Sequence, residues 1–267
     1  MSLKSKVLII TILLLSAGIA ANQVYDRYFS NEEPRFQWPD KIEIPCQPDS
    51  EDYGCENYIQ LNSTPVKTVK HPLNEEIWIA ELDGKISSWD GQVLEQIGNI
   101  SQILSRCHNE QGLLGFEFTD NFDTSNEILL SYTGDIDCDG GADLSNVILA
   151  SIEIIGGNLA IETLVELRLL DKQNRNHNGG NLHSLGNGTY LWSVGDGGGS
   201  SDPYGNGQNI HTPLGTIQYF SYNNKTIQPV LDNYQNDSDY VLHHGLRNPW
   251  KFDVDNENRL WIADVGQ

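Results

Sequence analysis

Apolar residues fall along this chain in short runs that end at acids and glycines, and beyond residue 21 no stretch shows a sustained helical spacing. Residues 76–81, 127–132, 190–196 and 259–264 each read as an apolar strand closing near an acid or a turn. Shorter runs at 115–118, 147–155, 159–164 and 216–222 read as further strands between them. The type recurs at an uneven spacing, which is the expected signature of several strands per repeat, as in propeller blades. A jelly roll or sandwich is the competing all-β reading.

One stretch, 177–199, organises the rest. It opens on His177-Asn178-Gly179-Gly180, turns at Gly186-Asn187-Gly188 and closes on Asp196 inside a glycine cluster. Apolar runs flank the turn, so strand, tight turn, strand is expected. A hairpin brings its two outer ends together. One end therefore gathers an imidazole, amides, a carboxylate and backbone free of side chains, and glycine suits places where backbone approaches a ligand closely.

Charge narrows the partners. With 16 Lys and Arg against 37 Asp and Glu, the formal net charge is −21, so no nucleic acid is expected, and an anionic lipid surface is disfavoured. At the N-terminus Lys4 and Lys6 precede an apolar run over 7–21 with small residues near its end. That is the pattern of a signal peptide or signal anchor over residues 1–21. The chain is then expected to be exported, periplasmic or extracellular, touching membrane only through that segment if it stays uncleaved. Residues 22–56 are polar with several prolines and read as an N-terminal extension, and 57–267 as the β domain. Cys46, Cys55, Cys107 and Cys138 make an even count that suits an oxidising compartment. Three pairings are possible. Cys46–Cys55, closing a Pro- and Asp-rich loop, with Cys107–Cys138 is the favoured one, and four free thiols are the alternative. Asp135-Ile-Asp-Cys-Asp-Gly140 has the spacing of a calcium loop, but a solvated hairpin tip is favoured because no helix flanks it. Asp196, Asp202 and Gln208 are a candidate oxygen-rich calcium set in the Gly-rich segment.

Four blocks in order resemble the glucose/sorbosone dehydrogenase family. They are Gln111-Gly-Leu-Leu-Gly-Phe-Glu-Phe, His177-Asn-Gly-Gly with Gly195-Asp-Gly-Gly-Gly, Gly245-Leu-Arg-Asn-Pro-Trp-Lys-Phe, and Leu260-Trp-Ile-Ala-Asp-Val-Gly-Gln. The resemblance implies a six-bladed β-propeller of which about four blades are present, the sequence stopping at Gln267 inside the fourth repeat. It implies a dehydrogenase that uses pyrroloquinoline quinone (PQQ) and calcium to oxidise an aldose sugar at its anomeric carbon, passing electrons to an external acceptor. His177 matches the family's base and Arg247 the residue that polarises the quinone oxygen. Gln111, Asn248 and Gln267 match positions that contact the cofactor. Those chemical roles agree with the residue types: a neutral imidazole suits abstraction of a hydroxyl proton, and a guanidinium suits an oxygen where negative charge develops. Asn181 departs from the family, which often carries a longer residue there. The same fold hosts non-catalytic exported propellers, similar to hedgehog-interacting proteins, that bind a protein or glycan partner, and that is the alternative function.

Overall fold

The computed structural model describes residues 59–134, 145–230 and 239–265. The expectations for residues 1–21 and 22–56, the loop at 135–143, Cys46, Cys55, Cys138 and Gln267 lie outside the described residues.

The described chain is all-β. Strands β1 (Pro65–Lys70), β2 (Ile77–Glu81), β3 (Lys85–Trp89) and β4 (Leu94–Asn99) form an antiparallel meander. A second meander follows in β5 (Leu113–Phe118), β6 (Glu127–Gly134), β7 (Ser145–Ile155) and β8 (Asn158–Lys172). A third is built from β9 (Gly179–Gly186), β10 (Thr189–Val194), β11 (Thr216–Asn223) and β12 (Thr226–Pro229), with β13 (Val241–His244) pairing the other half of β11. The fourth sheet holds β14 (Pro249–Val254) and β15 (Leu260–Asp264). Among the described residues the only α-helix is the single turn Phe122–Ser125.

Each sheet starts at its innermost strand and is laid down outwards. The leading strands touch across sheets: β1 packs on β5, β5 on β9 and β9 on β14. That radial order is the order of propeller blades. Burial along the strands follows from it. β5 and β6 are buried at every position because both faces meet a neighbouring sheet, whereas β8 at the outer edge shows exposed positions along its length. The main core is apolar and spans the first three sheets. A smaller cluster of Leu191, Ile217 and Phe252 joins the third sheet to the fourth. Polar ties cross the same seams: Trp192 Nε1 donates to Ser131 Oγ at 2.9 Å, and the Tyr222 hydroxyl donates to Glu127 Oε2 at 2.9 Å.

The hairpin expected over 177–199 is β9–β10. Its turn residues Asn187 and Gly188 both have positive φ, 57° and 73°, as a two-residue turn matched to the strand twist requires. Gly179 pairs with Val194, so the two outer ends meet. The run expected at 190–196 stops as a strand at Val194, which leaves Asp196 in a loop.

Candidate active site

The N-terminal ends of β5, β9 and β14 converge, and each is preceded by a short polar segment: Glu110-Gln111, His177-Asn178 and Arg247-Asn248. These three segments, far apart in sequence, are bonded to one another.

His177 stands at the centre and is 3% exposed. Its Nδ1 lies 2.7 Å from Asp196 Oδ1. A carboxylate there accepts the Nδ1 proton, which fixes the tautomer and leaves Nε2 as the nitrogen with a lone pair. Asp196 is itself 1% exposed. Its Oδ1 also accepts the Gly198 N–H at 2.8 Å, and its backbone N–H donates to Arg247 O at 2.7 Å.

The backbone around the histidine is tightly built. Gly195 shows why a glycine is needed before Asp196: a Cβ there would lie 2.0 Å from the His177 carbonyl oxygen, far inside any van der Waals contact. Gly195→Ala is expected to cost about 3 kcal/mol or more in urea unfolding, because backbone cannot yield as a flexible side chain would.

Glu110 is the hub between sheets. Its Oε2 accepts the His177 backbone N–H at 2.7 Å and the Asn248 Nδ2 at 3.3 Å, while its carbonyl accepts the Asn178 Nδ2 at 2.9 Å. Asn248 completes the link by accepting the Gly179 N–H on Oδ1 at 3.0 Å. Asp264, at the end of β15, receives the backbone N–H groups of Arg247 at 3.0 Å and Asn248 at 2.7 Å, and so presents the Arg247 side chain. Arg247 Nη1 donates to Val265 O at 2.7 Å.

Three buried polar atoms at this end lack a hydrogen-bond partner among the described residues: Asn178 Oδ1, Asp196 Oδ2 and Arg247 Nε. Buried polar groups are ordinarily paired, so these atoms are open to a ligand or to water. The two acceptors suit hydroxyl groups, and the arginine donor suits an electron-rich oxygen.

The sequence candidates fare differently in detail. His177, Arg247 and Asn248 come together, and Asp196 joins them as the histidine's partner. Gln111 sits beside the hub and is 1% exposed, but its amide is committed internally, accepting from Cys107 N at 2.9 Å and donating to Ser145 Oγ at 3.0 Å. Asp202 receives Asn206 N on one oxygen at 2.9 Å and Gly207 N on the other at 3.0 Å, which folds the short 3₁₀ turn Asn206–Gln208. Gln208 is exposed at the end of that turn. Asn206 Nδ2 then donates to the Asp196 carbonyl at 2.8 Å. The segment is thus self-satisfied, and among the described residues no group of three or more His, Cys, Asp or Glu side chains could hold a metal ion. Cys107 is disulfide-bonded. Glu110, Asp264 and the buried Lys172 escaped the sequence reading. Glu110 adjoins a quoted block and Asp264 lies inside one, whereas nothing in the spacing sets Lys172 apart.

The profile of the glucose/sorbosone dehydrogenase family matches residues 64–267. The chain belongs to that family. No curated protein sequence matches it. Among solved structures it is similar to the soluble aldose sugar dehydrogenase of Escherichia coli in its apo-form, at TM-score 0.62 and 19% identity over 76% of this chain and 58% of that one. It is also similar to the PQQ-bound aldose sugar dehydrogenase of Streptomyces coelicolor, at TM-score 0.60 and 15% identity over 79% and 59%. A structure described as a glucose dehydrogenase gives TM-score 0.64 and 16% identity over 76% and 58%. This family member therefore spans less than two thirds of each of those three proteins, and at these identities the likeness carries the fold.

Proposed function

We propose that this protein is a quinone-dependent dehydrogenase that oxidises an aldose at the anomeric carbon. The observation that carries the reading is the buried His177–Asp196 pair, 2.7 Å apart, set among unpartnered acceptors and an unpartnered arginine nitrogen. In this site His177 Nε2 takes the proton of the anomeric hydroxyl. Asp196 holds the ring in the required tautomer and stabilises the imidazolium that forms. Asn178 Oδ1 and Asp196 Oδ2 accept hydroxyl protons of the sugar and orient it. Arg247 supports a nearby oxygen on which negative charge grows.

PQQ, which when bound supplies the two-electron acceptor for the hydride, fits the site through the free Arg247 donor. Arg247 would hold it, and Asn248, whose amide is occupied by Glu110 and Gly179, would shape its pocket. Calcium does not find a donor set among the described residues: both oxygens of Asp202 and one of Asp196 are already bonded to N–H groups. No step is assigned to it. Export to the periplasm or beyond, with an external electron acceptor, completes the reading. Among the described residues no helix is long and apolar enough to cross a membrane.

The test is reconstitution. The protein, titrated with PQQ, should quench the cofactor's fluorescence at a saturable stoichiometry and then reduce a redox dye when an aldose such as glucose is added. Saturable PQQ binding without dye reduction by any of a panel of aldoses would sink the enzymatic reading. Absence of PQQ binding would sink the choice of cofactor.

A further inference from the structure

Lys172 ends β8 with its side chain turned inward and is 2% exposed. A fully buried lysine is rare and costly unless something inside needs its charge. Here the ammonium donates to two carbonyls of the loop that leads to the histidine, Asn174 O and, at 2.8 Å, Asn176 O. The second of these belongs to the peptide bond that joins Asn176 to His177. The N–H of that same peptide donates to Glu110 Oε2 at 2.7 Å. One peptide plane is therefore gripped from both sides, its oxygen by a cation and its hydrogen by a carboxylate.

The grip matters because His177 has φ of 55°. A residue other than glycine is strained in that region and stays there only when its surroundings over-determine it. Turning this peptide would swing the imidazole away from Asp196. Other contacts hold the loop as a whole: Asn174 N donates to Gly197 O at 2.9 Å, and Gly199 N donates to Asn176 Oδ1 at 3.2 Å. Within the described side-chain bonds, only the Lys172 ammonium reaches the Asn176 carbonyl. Burial lowers the Lys172 pKa to about 7, with the negative charges of Glu110 and Asp196 opposing that fall. The charges that face the ammonium are thus the two carboxylates that touch His177 at its backbone and at its ring.

We propose that Lys172 is a positioning residue: together with Glu110 it orients the Asn176–His177 peptide and so aims the catalytic imidazole. This rests on the sugar-dehydrogenase reading only for its kinetic readout. In Lys172→Met, kcat should fall about 10- to 100-fold while KM and PQQ affinity stay within about threefold, as expected when a reacting group is misplaced and binding is intact. Lys172→Arg, which keeps the charge and the donors, should recover most of the turnover. In cofactor-free protein with ¹⁵N-labelled histidine, the downfield Nδ1 proton of His177 should be present in wild type and in Lys172→Arg and lost in Lys172→Met. A purely structural lysine would instead lower the melting temperature and leave both kcat per folded molecule and that resonance unchanged, which would overturn the proposal. If Lys172→Met does not fold, Lys172→Gln is judged by the same two readouts. The resonance is read without cofactor or sugar. A wild-type protein that proves inactive therefore counts against the dehydrogenase reading alone, and the resonance still decides whether Lys172 positions the ring.

Discussion

Asp196→Asn will lower sugar-dependent dye reduction by about 10²- to 10⁴-fold, with PQQ still bound. The side chain keeps its size, and its oxygen, placed at the Oδ1 position, can go on accepting both the Nδ1 proton and the Gly198 N–H. What is lost is the charge. A neutral amide no longer stabilises the imidazolium that forms when Nε2 takes a proton, so the base is weakened. His177→Ala should fall in the same range, and the double variant should be little worse than either alone, since the two residues act as one unit. Turnover in Asp196→Asn within a few-fold of wild type would show that the 2.7 Å contact has no part in proton transfer.

Stability should rise with pH across the range from about 7 to about 10. Lys251 on β14 lines a cleft of about 450 Å³ with Lys67, Glu117, Asn181 and His183. Burial, with the charge of Lys67 added to it, lowers the Lys251 pKa from 10.5 to about 7; its ammonium donates to Leu114 O at 3.2 Å. Lys172 is lowered to a similar value by burial. Between about pH 7 and 10.5 the unfolded chain therefore holds protons on these lysines that the folded chain has released. Stability then climbs with pH in that window, by about 1.4 kcal/mol per pH unit for each lysine. Below pH 7 both states are protonated and the full cost of burial is present. Above about pH 10 the direction reverses, because burial raises the phenol pKa of Tyr132, Tyr190 and Tyr222 and the unfolded chain then loses protons that the fold retains. Lys251→Met should remove about 1.4 kcal/mol per pH unit of the climb. Urea unfolding at a series of pH values measures it, and a flat profile from pH 7 to 10 would refute the buried-lysine account.

The strands and the blocks were legible in the sequence because both are local. Apolar runs bounded by Gly and Asp marked β2, β6, β10 and β15, and the Gly186-Asn187-Gly188 turn fixed the register of the central hairpin. β1, β3, β4 and β12 to β14 did not stand out: they are short or interrupted by polar residues, and their burial comes from neighbouring sheets that no local pattern records. The same limit applies to the site. His177 and Asp196 were legible as neighbours, because a hairpin over 177–199 brings its two ends together, but Asp196 also read as a candidate metal ligand, since spacing alone does not say that the carboxylate bonds the ring. Glu110 looked like one acid among 37 Asp and Glu. Only the packing of β5 against β9 turns it toward the histidine. Lys172 looked like an ordinary strand-end lysine, and its partners are carbonyls, which every residue possesses.

The bonds that hold Glu110 carry a consequence for the order of events during folding. The carboxylate meets His177 across 67 residues of sequence and Asn248 across 138. Each meander can form from its own hairpins, whose contacts are short in sequence and quick to close. The site cannot, because its hub belongs to one meander and its ligands to two others. Strand content should accordingly appear before the imidazole is in place. Assembly of the site waits on the docking of sheets, whose contacts span far more of the chain than those of any one hairpin.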